Sequence, residues 1–544
     1  MDPKVLEAAR LAFPAGAATL TLGAVLHQGE CHPEPLVALP IAMATRHGLI
    51  AGATGTGKTK TLQLLAEQFS ASGVPVFLAD LKGDLSGLAA AGAPGDRVAQ
   101  RAKDTGFDWK PAPRPVEFLS LTGGKGAQLR ATVSSFGPLL LSKVLGLNDT
   151  QTSVLTLVFK FCDDQKLPLV DFSDLRAVLQ FLTSDEAKDA LAQYGGMSKA
   201  TVGVLLREMV ELEQQGAGAF FGEPEFDLGD LMPIARDGKG LVSVLELEDV
   251  QDRPALFSTF MMWMLARLYH ELPEVGDVDR PKLVFFFDEA HLLFDGASKA
   301  FEAQVEQVVR LIRSKGVGVY FVTQSPKDIP ADILGQLGNR VQHALRAFTP
   351  DDEKALRAAA RTFPRTAFYD VEQTLTSLGI GEALVTVLTA SGVPTPPFAV
   401  RMIPPATRMG ALTDDELRAE LAGSLQVKEY AQAVDRESAR EMLAARMTGD
   451  AAGGSGEAGS ATDAQPPAAP EGSDSKAGAL IGTAAAAVGA LFGSRLLRDM
   501  ARTATREVVR GSLGTLLGAP PRRRTTRRAT TRGLAGSLLR NLIR

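Results

Sequence analysis

The sequence predicts an α/β fold: an open, largely parallel sheet covered by helices. Three stretches predict it. Gly52-Ala53-Thr54-Gly55-Thr56-Gly57-Lys58-Thr59 lies between a short apolar run and a helical pattern. That is the strand, glycine-rich turn and helix of a Walker A loop. The apolar run 283–287 ends in Asp288-Glu289, and a second run, 316–322, ends in Thr323-Gln324-Ser325. Unbroken apolar strands of this kind suit a parallel sheet buried on both faces.

Taken in order, residues 1–45 read as a short β-rich lead-in: an amphipathic segment, then strands near 19–26 and 36–42. Residues 46–137 form the first part of the nucleotide core. Its first strand, 47–51, leads into the loop and a helix over 60–70. The next strand, 74–81, ends in Asp80-Leu81-Lys82-Gly83-Asp84. Charged residues there sit on the ligand-bearing edge of such a sheet. Asp80 and Asp84 are therefore candidates for the magnesium shell or a subunit contact, with a plain capped turn equally expected. Residues 97–135 look irregular apart from a strand at 116–120.

Residues 138–225 change to helical periodicity, with Asn148 or Asp149 as a cap, and form an insertion. The core resumes over 226–410 with a strand near 240–247, a buried helix over 254–269, and the two apolar strands already described. Residues 339–346 read as an edge strand, and 379–389 and 397–402 as closing strands. A charged helical segment (411–447), a disordered linker rich in Gly, Ala, Ser and Pro (448–475), and a terminal region (476–544) complete the chain.

The formal net charge of −5 is unevenly spread. From Ala501 onward there are eleven arginines, no lysine and one acidic residue, Glu507, so this flexible basic extension carries +10 and the rest −15. Residues 477–493 hold seventeen residues with only Thr483 polar. They are short and small for a membrane helix, which needs about 20 apolar residues, so membrane contact there is the lesser reading. The arginine cluster near 522–528 has no aromatic residue to stack on bases, and so suits salt-sensitive, non-specific phosphate contact. Cys31 and Cys162 have neither metal-ligand spacing nor the number for a disulfide framework. The N-terminal residues lack a signal-peptide layout, and a cytoplasmic location is expected.

The chemistry follows from the residue types. Glycines let backbone amides of the loop surround phosphate oxygens, helped by the positive end of the following helix. Lys58 reaches the terminal phosphates of ATP, and the Thr59 hydroxyl ligates Mg2+. Asp288 holds the same metal through water, while Glu289 polarises the attacking water. Gln324 is placed to sense the terminal phosphate. Arg340, with Arg346 as runner-up, is the candidate that crosses a subunit boundary to stabilise transferred charge. The neighbouring Glu, and the lack of a guanine-reading Asn/Thr-Lys-x-Asp, favour ATP over GTP and describe the additional-strand class of P-loop ATPases.

Residues 47–63, 80–88, 147–155, 287–294, 321–330, 338–356 and 510–518 together resemble the bacterial HerA-like ATPases of the DUF853 family. The resemblance implies a RecA-like P-loop NTPase core with a helical insertion, magnesium-dependent ATP hydrolysis, a homo-hexameric ring and translocation on double-stranded DNA. It carries Lys58, Thr59, Asp288, Glu289, Gln324 and Arg340 into these roles. Lys125, Arg130, Lys143 and Lys160 would then be candidates to line a DNA channel. HerA proper docks a nuclease through an N-terminal β-barrel, whereas about 45 residues precede the Walker strand here, which leaves a nuclease partner open. The alternative is an ATP-driven assembly or regulatory ATPase acting on a protein or membrane partner.

Overall fold

The computed structural model describes residues 3–453, apart from 15, 17, 188–190, 192 and 295–298. The linker read at 448–475 starts too early, because a helix runs over Ala439–Gly453; the rest of it, 454–475, and the region 476–544 with the arginine-rich extension lie outside the described residues.

One sheet of twelve strands organises the described chain, in the order β2-β1-β12-β11-β10-β3-β9-β8-β4-β7-β5-β6. Its parallel part comprises β10 (Asn339–His343), β3 (Gly48–Ala51), β9 (Val317–Thr323), β8 (Leu283–Phe287), β4 (Val76–Asp80), β7 (Val242–Glu246), β5 (Val116–Ser120) and β6 (Ala127–Gln128). Each of β3, β4, β7, β8 and β9 is buried at every residue. Their continuous Val, Ile, Leu and Phe runs therefore face helices on both sides rather than alternating with water. Phe286 stacks on Tyr320, with centroids 5.0 Å apart, and Phe285 meets Phe77 at 5.1 Å. These ring pairs fix neighbouring strands in register.

β9 lies between β3 and β8, pairing Ala51 with Thr323 and Phe287 with Phe321. That order is the additional-strand topology, and the core is a RecA-like P-loop NTPase. It brings the ends of three strands, at residues 52, 288 and 324, to one edge.

Three expectations change. The lead-in strands β1 (Thr19–His27) and β2 (Glu30–Pro40) do not form a separate unit. β1 pairs with β12 (Phe398–Met402), which pairs with β11 (Glu382–Thr386), all antiparallel, so they extend the main sheet. Residues 339–343 are not an edge strand, because β10 is held between β3 and β11. His343 is fully buried there. Within the stretch read as irregular, Asp96–Thr105 is a helix, with Val98 and Thr105 its buried positions and Gly106 as left-handed cap. Two buried residues in ten give too little periodicity to read.

We label the helices used below α1 (Pro3–Ala12), α2 (Lys58–Ala71), α3 (Asp96–Thr105), α4 (Val133–Val144), α5 (Asp149–Gln165) and α6 (Phe172–Leu182). Asn148 is the cap of α5, in a capping box with Gln151. Helices α4 to α6 and Lys199–Leu212 share the larger apolar cluster with the helix Pro254–Glu271, whose Trp263 is fully buried. The face of α2 that carries Gln63 and Glu67 is tied to residues 406–408. Glu67 accepts hydrogen bonds from the Ala406 and Thr407 amides at 2.7 and 2.9 Å. These contacts anchor the phosphate-loop helix at its back.

Candidate nucleotide site

The loop between β3 and α2 turns sharply. Gly52 has φ +152°, and a Cβ there would sit 2.5 Å from the His343 Cβ. Only glycine fits such an approach. The Gly52 and Ala53 amides are bonded to Thr323 and Ala344 carbonyls, and the Gly381 amide donates to the Thr56 carbonyl at 2.9 Å. The loop is thus fastened to β9 on one side and to the start of β11 on the other. Behind it, the buried His343 ring joins Thr61 Oγ1 through Nε2 (2.9 Å) and the Glu382 carbonyl through Nδ1 (2.9 Å). Burial pulls its pKa down to about 4, so it stays neutral beside Lys58.

Lys58 Nζ reaches back across the loop to the Ala53 carbonyl at 3.2 Å. Burial lowers its pKa, against the pull of Glu289. Thr59 follows on the first turn of α2. From β8, Asp288 is 3% exposed. Its Oδ1 accepts the Glu289 amide at 2.9 Å, and its buried Oδ2 has no hydrogen-bond partner. Burial and the neighbouring Glu289 push the Asp288 pKa up to about 7. A buried carboxylate oxygen without a donor is a costly arrangement that a cation would relieve. The donor set of Thr59 and Asp288 therefore fits Mg2+, and the glycine loop fits the phosphates of ATP.

Glu289 adopts φ +46°, in the left-handed region that L residues rarely occupy. This turns its side chain to the same edge as Asp288, although adjacent strand residues would face opposite sides. Its Oε1 is paired with the Lys82 ammonium. Its Oε2 has no hydrogen-bond partner and lies 3.4 Å from His291 Nδ1. Burial works to raise the Glu289 pKa, but the bond and charge of Lys82, with Lys58 and His291, hold it below the usual carboxylate value. Of two adjacent acids, Glu289 is the one kept ionised.

Gln324 is exposed and faces a cleft of 1080 Å³ together with Ala53, Thr54 and Arg346. Arg340 is placed differently. Its guanidinium donates to the carbonyls of Leu337, Thr362 and Leu334 at 3.3, 3.0 and 3.2 Å. It holds its own subunit's loops, and reaching a neighbour would break all three bonds. Arg346, exposed and in the cleft, keeps one bond, to the Thr376 carbonyl at 2.8 Å.

Asp80 is fully buried and accepts from the amides of Lys82, Gly83 and Leu85 at 3.0, 2.9 and 2.8 Å. It shapes the turn that presents Lys82, so the capped-turn expectation describes it. Lys82 itself was missed in the sequence. Its only signal was a lysine two residues beyond a strand-end acid, and its partner lies 207 residues away. The channel candidates are engaged within the chain: Lys125 with Glu248, Lys143 with Gln304 and Lys160 with Asp164. Arg130, 5% exposed and bonded to the Tyr430 carbonyl, cannot line a channel in this conformation.

Glu246, at the end of β7, is 3% exposed with Oε1 unpartnered. Burial, then the charge of Asp80, raises its pKa from 4.5 to about 8. The folded protein holds this proton more tightly than the unfolded chain, so stability falls as pH rises from about 4.5 through about 8. Glu246→Gln is expected to raise Tm by about 2–6 °C at pH 8.5 and to change it little at pH 5. A thermal melt series across pH checks this; equal shifts at both pH values would show that ionisation is not the cause.

A family model described as Helicase HerA-like C-terminal matches residues 26–524. The DNA double-strand break repair helicase HerA of Saccharolobus solfataricus is 22% identical over 354 residues, 64% of this chain and 63% of that protein. The helicase of the same description from Sulfurisphaera tokodaii is 27% identical over 163 residues, 30% of this chain and 32% of its own. A probable helicase of Methanocaldococcus jannaschii is 27% identical over 154 residues, 26% and 28% of the two chains. The chain therefore spans less than two thirds of the length of each of these relatives. Among solved structures, the bacterial conjugative coupling protein TrwBdeltaN70 aligns with TM-score 0.47 and 14% identity, over 75% of this chain and 94% of that one. VirB4 of Thermoanaerobacter pseudethanolicus aligns with TM-score 0.45 and 15% identity, over 72% and 97%. Among the described residues no helix is long and apolar enough to cross a membrane.

Proposed function

The chain belongs to the HerA-like helicase C-terminal family, and from that premise we propose that it is a magnesium-dependent, ATP-hydrolysing motor of the bacterial HerA-like kind, working as a homo-hexameric ring. The observation that carries this reading is the unpartnered Asp288 Oδ2 beside an ionised, Lys82-held Glu289, at the same sheet edge as Lys58. Thr59 and Asp288 would hold Mg2+ there, and the ion would supply neutralisation of charge on the transferred group. Lys58 neutralises the terminal phosphates, Glu289 takes the proton of the attacking water, and Gln324 orients that water. Arg346 is the better placed of the two arginines to act between subunits.

The client is DNA in the family-based reading: the motor moves along the duplex, without a claim to strand separation. One observation favours the second reading, an ATP-driven assembly or regulatory ATPase with a protein or membrane partner. All four basic residues nominated for a DNA channel are bonded within the chain. ATP turnover with and without linear double-stranded DNA, at low and moderate salt, separates the two. A translocase should be stimulated about tenfold or more at low salt, with the stimulation falling as salt rises. Turnover indifferent to DNA would overturn the DNA reading and support the second. Light scattering of the same samples tests the ring.

A further inference from the structure

Gln324 can orient an attacking water only if the turn after β9 points it there. Its side chain is exposed and makes no hydrogen bond among the described residues. With nothing holding its tip, its aim is set by its own backbone. The two residues beside it are the ones held. Thr323 is fully buried, and its Oγ1 donates to Asp328 Oδ2 at 2.7 Å. The Ser325 amide donates to the same oxygen at 3.0 Å. The Asp328 amide returns a bond to the Ser325 carbonyl at 3.1 Å, which closes the single turn Pro326–Asp328. One carboxylate oxygen thus clasps the residue before Gln324 and the residue after it. Hydrogen bonds to a carboxylate are about twice as strong as those between neutral groups.

The same strand tip fastens both halves of the nucleotide site. The Thr323 carbonyl accepts from the Gly52 amide of the phosphate loop at 3.3 Å. The Val322 carbonyl accepts from the amide of Ala290, next to Glu289, at 2.8 Å. Gln324 therefore stands one residue beyond a junction shared by the phosphate loop and the Asp288-Glu289 turn. Asp328 lines the 1080 Å³ cleft together with Gln324. Its Oδ2 is occupied by its own turn, whereas the Glu289 Oε2 has no hydrogen-bond partner. The two acids are thereby divided: one open to act as a base, the other tied to the backbone around Gln324.

We infer that Asp328 is a positioning residue for ATP hydrolysis: its Oδ2 holds Thr323 and Ser325 so that Gln324 meets the attacking water, and its effect on the rate runs through Gln324. The inference rests on the ATP-hydrolysis reading and deepens it. A misplacement of about 1 Å can cost about 10²-fold in rate, so a clasp that only sets an angle has a large expected effect. The clasp needs an acceptor oxygen rather than a negative charge. Asp328→Asn can present its amide oxygen to both donors, whereas Asp328→Ala removes both bonds.

The test is a double-mutant cycle in the full chain, read as kcat for ATP. The Kd for Mg2+-ATP is measured with Glu289→Gln added to stop turnover. Gln324→Ala is expected to lower kcat by about 10²-fold. Asp328→Ala should lower it by about tenfold to 10²-fold and leave Kd within about threefold. Added to Gln324→Ala, it should cost less than about twofold more, because the residue it positions is gone. Asp328→Asn should stay within about threefold of the parent. Thr323→Val removes one of the two bonds and keeps Asp328; it should cost about threefold to tenfold, and nothing further beside Gln324→Ala. That arm decides the matter if Asp328→Ala does not fold. Hydrogen exchange over residues 321–329 reads the clasp without turnover. The Ser325 amide should exchange about tenfold faster or more in Asp328→Ala and near the parent rate in Asp328→Asn. Additive losses, or a Kd that rises in step with the fall in kcat, overturn the inference in favour of a structural role. Unchanged exchange in Asp328→Ala overturns the clasp itself. Turnover indifferent to Gln324→Ala overturns the inference while leaving hydrolysis by Lys58 and Glu289 standing. A parent without turnover overturns the hydrolysis reading, and the inference with it.

Discussion

Lys58→Ala and Glu289→Gln are each expected to reduce ATP turnover by about 10²–10⁴-fold, but for separable reasons. Lys58 is 8% exposed and already leans across the loop to the Ala53 carbonyl. Its removal takes away the cation that meets the terminal phosphates, so both binding and turnover should fall. Glu289 acts on the loop only through the charge of Lys58; its direct partners are Lys82 and, at 3.4 Å, His291. Glu289→Gln keeps the shape and loses the base, so ATP should bind with its affinity nearly unchanged while turnover collapses. Measuring Kd and kcat for both variants checks the division. Turnover retained in Glu289→Gln would remove Glu289 from the chemistry and point to Asp288 or Gln324.

Lys82→Met should produce a loss that depends on pH. In the parent, Lys82 keeps the Glu289 carboxyl below its usual value against burial. Without that ammonium, burial and the adjacent Asp288 favour the protonated form, so the pKa of Glu289 rises. A general base works only when ionised, and the acid limb of the pH–rate profile should move upward. Turnover is expected to drop about tenfold at pH 6.5 and to recover to within about threefold of the parent at pH 8.5. A pH–kcat profile of both proteins decides it. A uniform loss at every pH would mean that Lys82 binds phosphate directly instead of positioning Glu289.

The parts of this site that were legible in the sequence are those made by consecutive residues. Gly52 to Thr59 specify a loop because their glycines permit backbone angles that other residues resist. The runs at 283–287 and 317–323 declare buried parallel strands because every residue in them is apolar or small enough for a core. Asp288-Glu289 and Gln324 were visible as the polar tips of those runs. The helix at Asp96–Thr105 was not, since it buries too few residues to show a period.

What the sequence determined by itself, then, was local: loop, strands, helical insertion, and the residue types that handle phosphate and water. Only the tertiary structure decided which distant residues meet. Placing β4 beside β8 brings Lys82 to Glu289. Holding β10 between β3 and β11 buries His343 behind the loop and commits Arg340 to its own subunit's carbonyls. Strand order is set by how whole apolar faces bury against one another, a sum over many weak contacts between segments far apart in the chain. No stretch of sequence carries that sum alone, so pairings such as Lys82 with Glu289 appear only once the sheet is assembled.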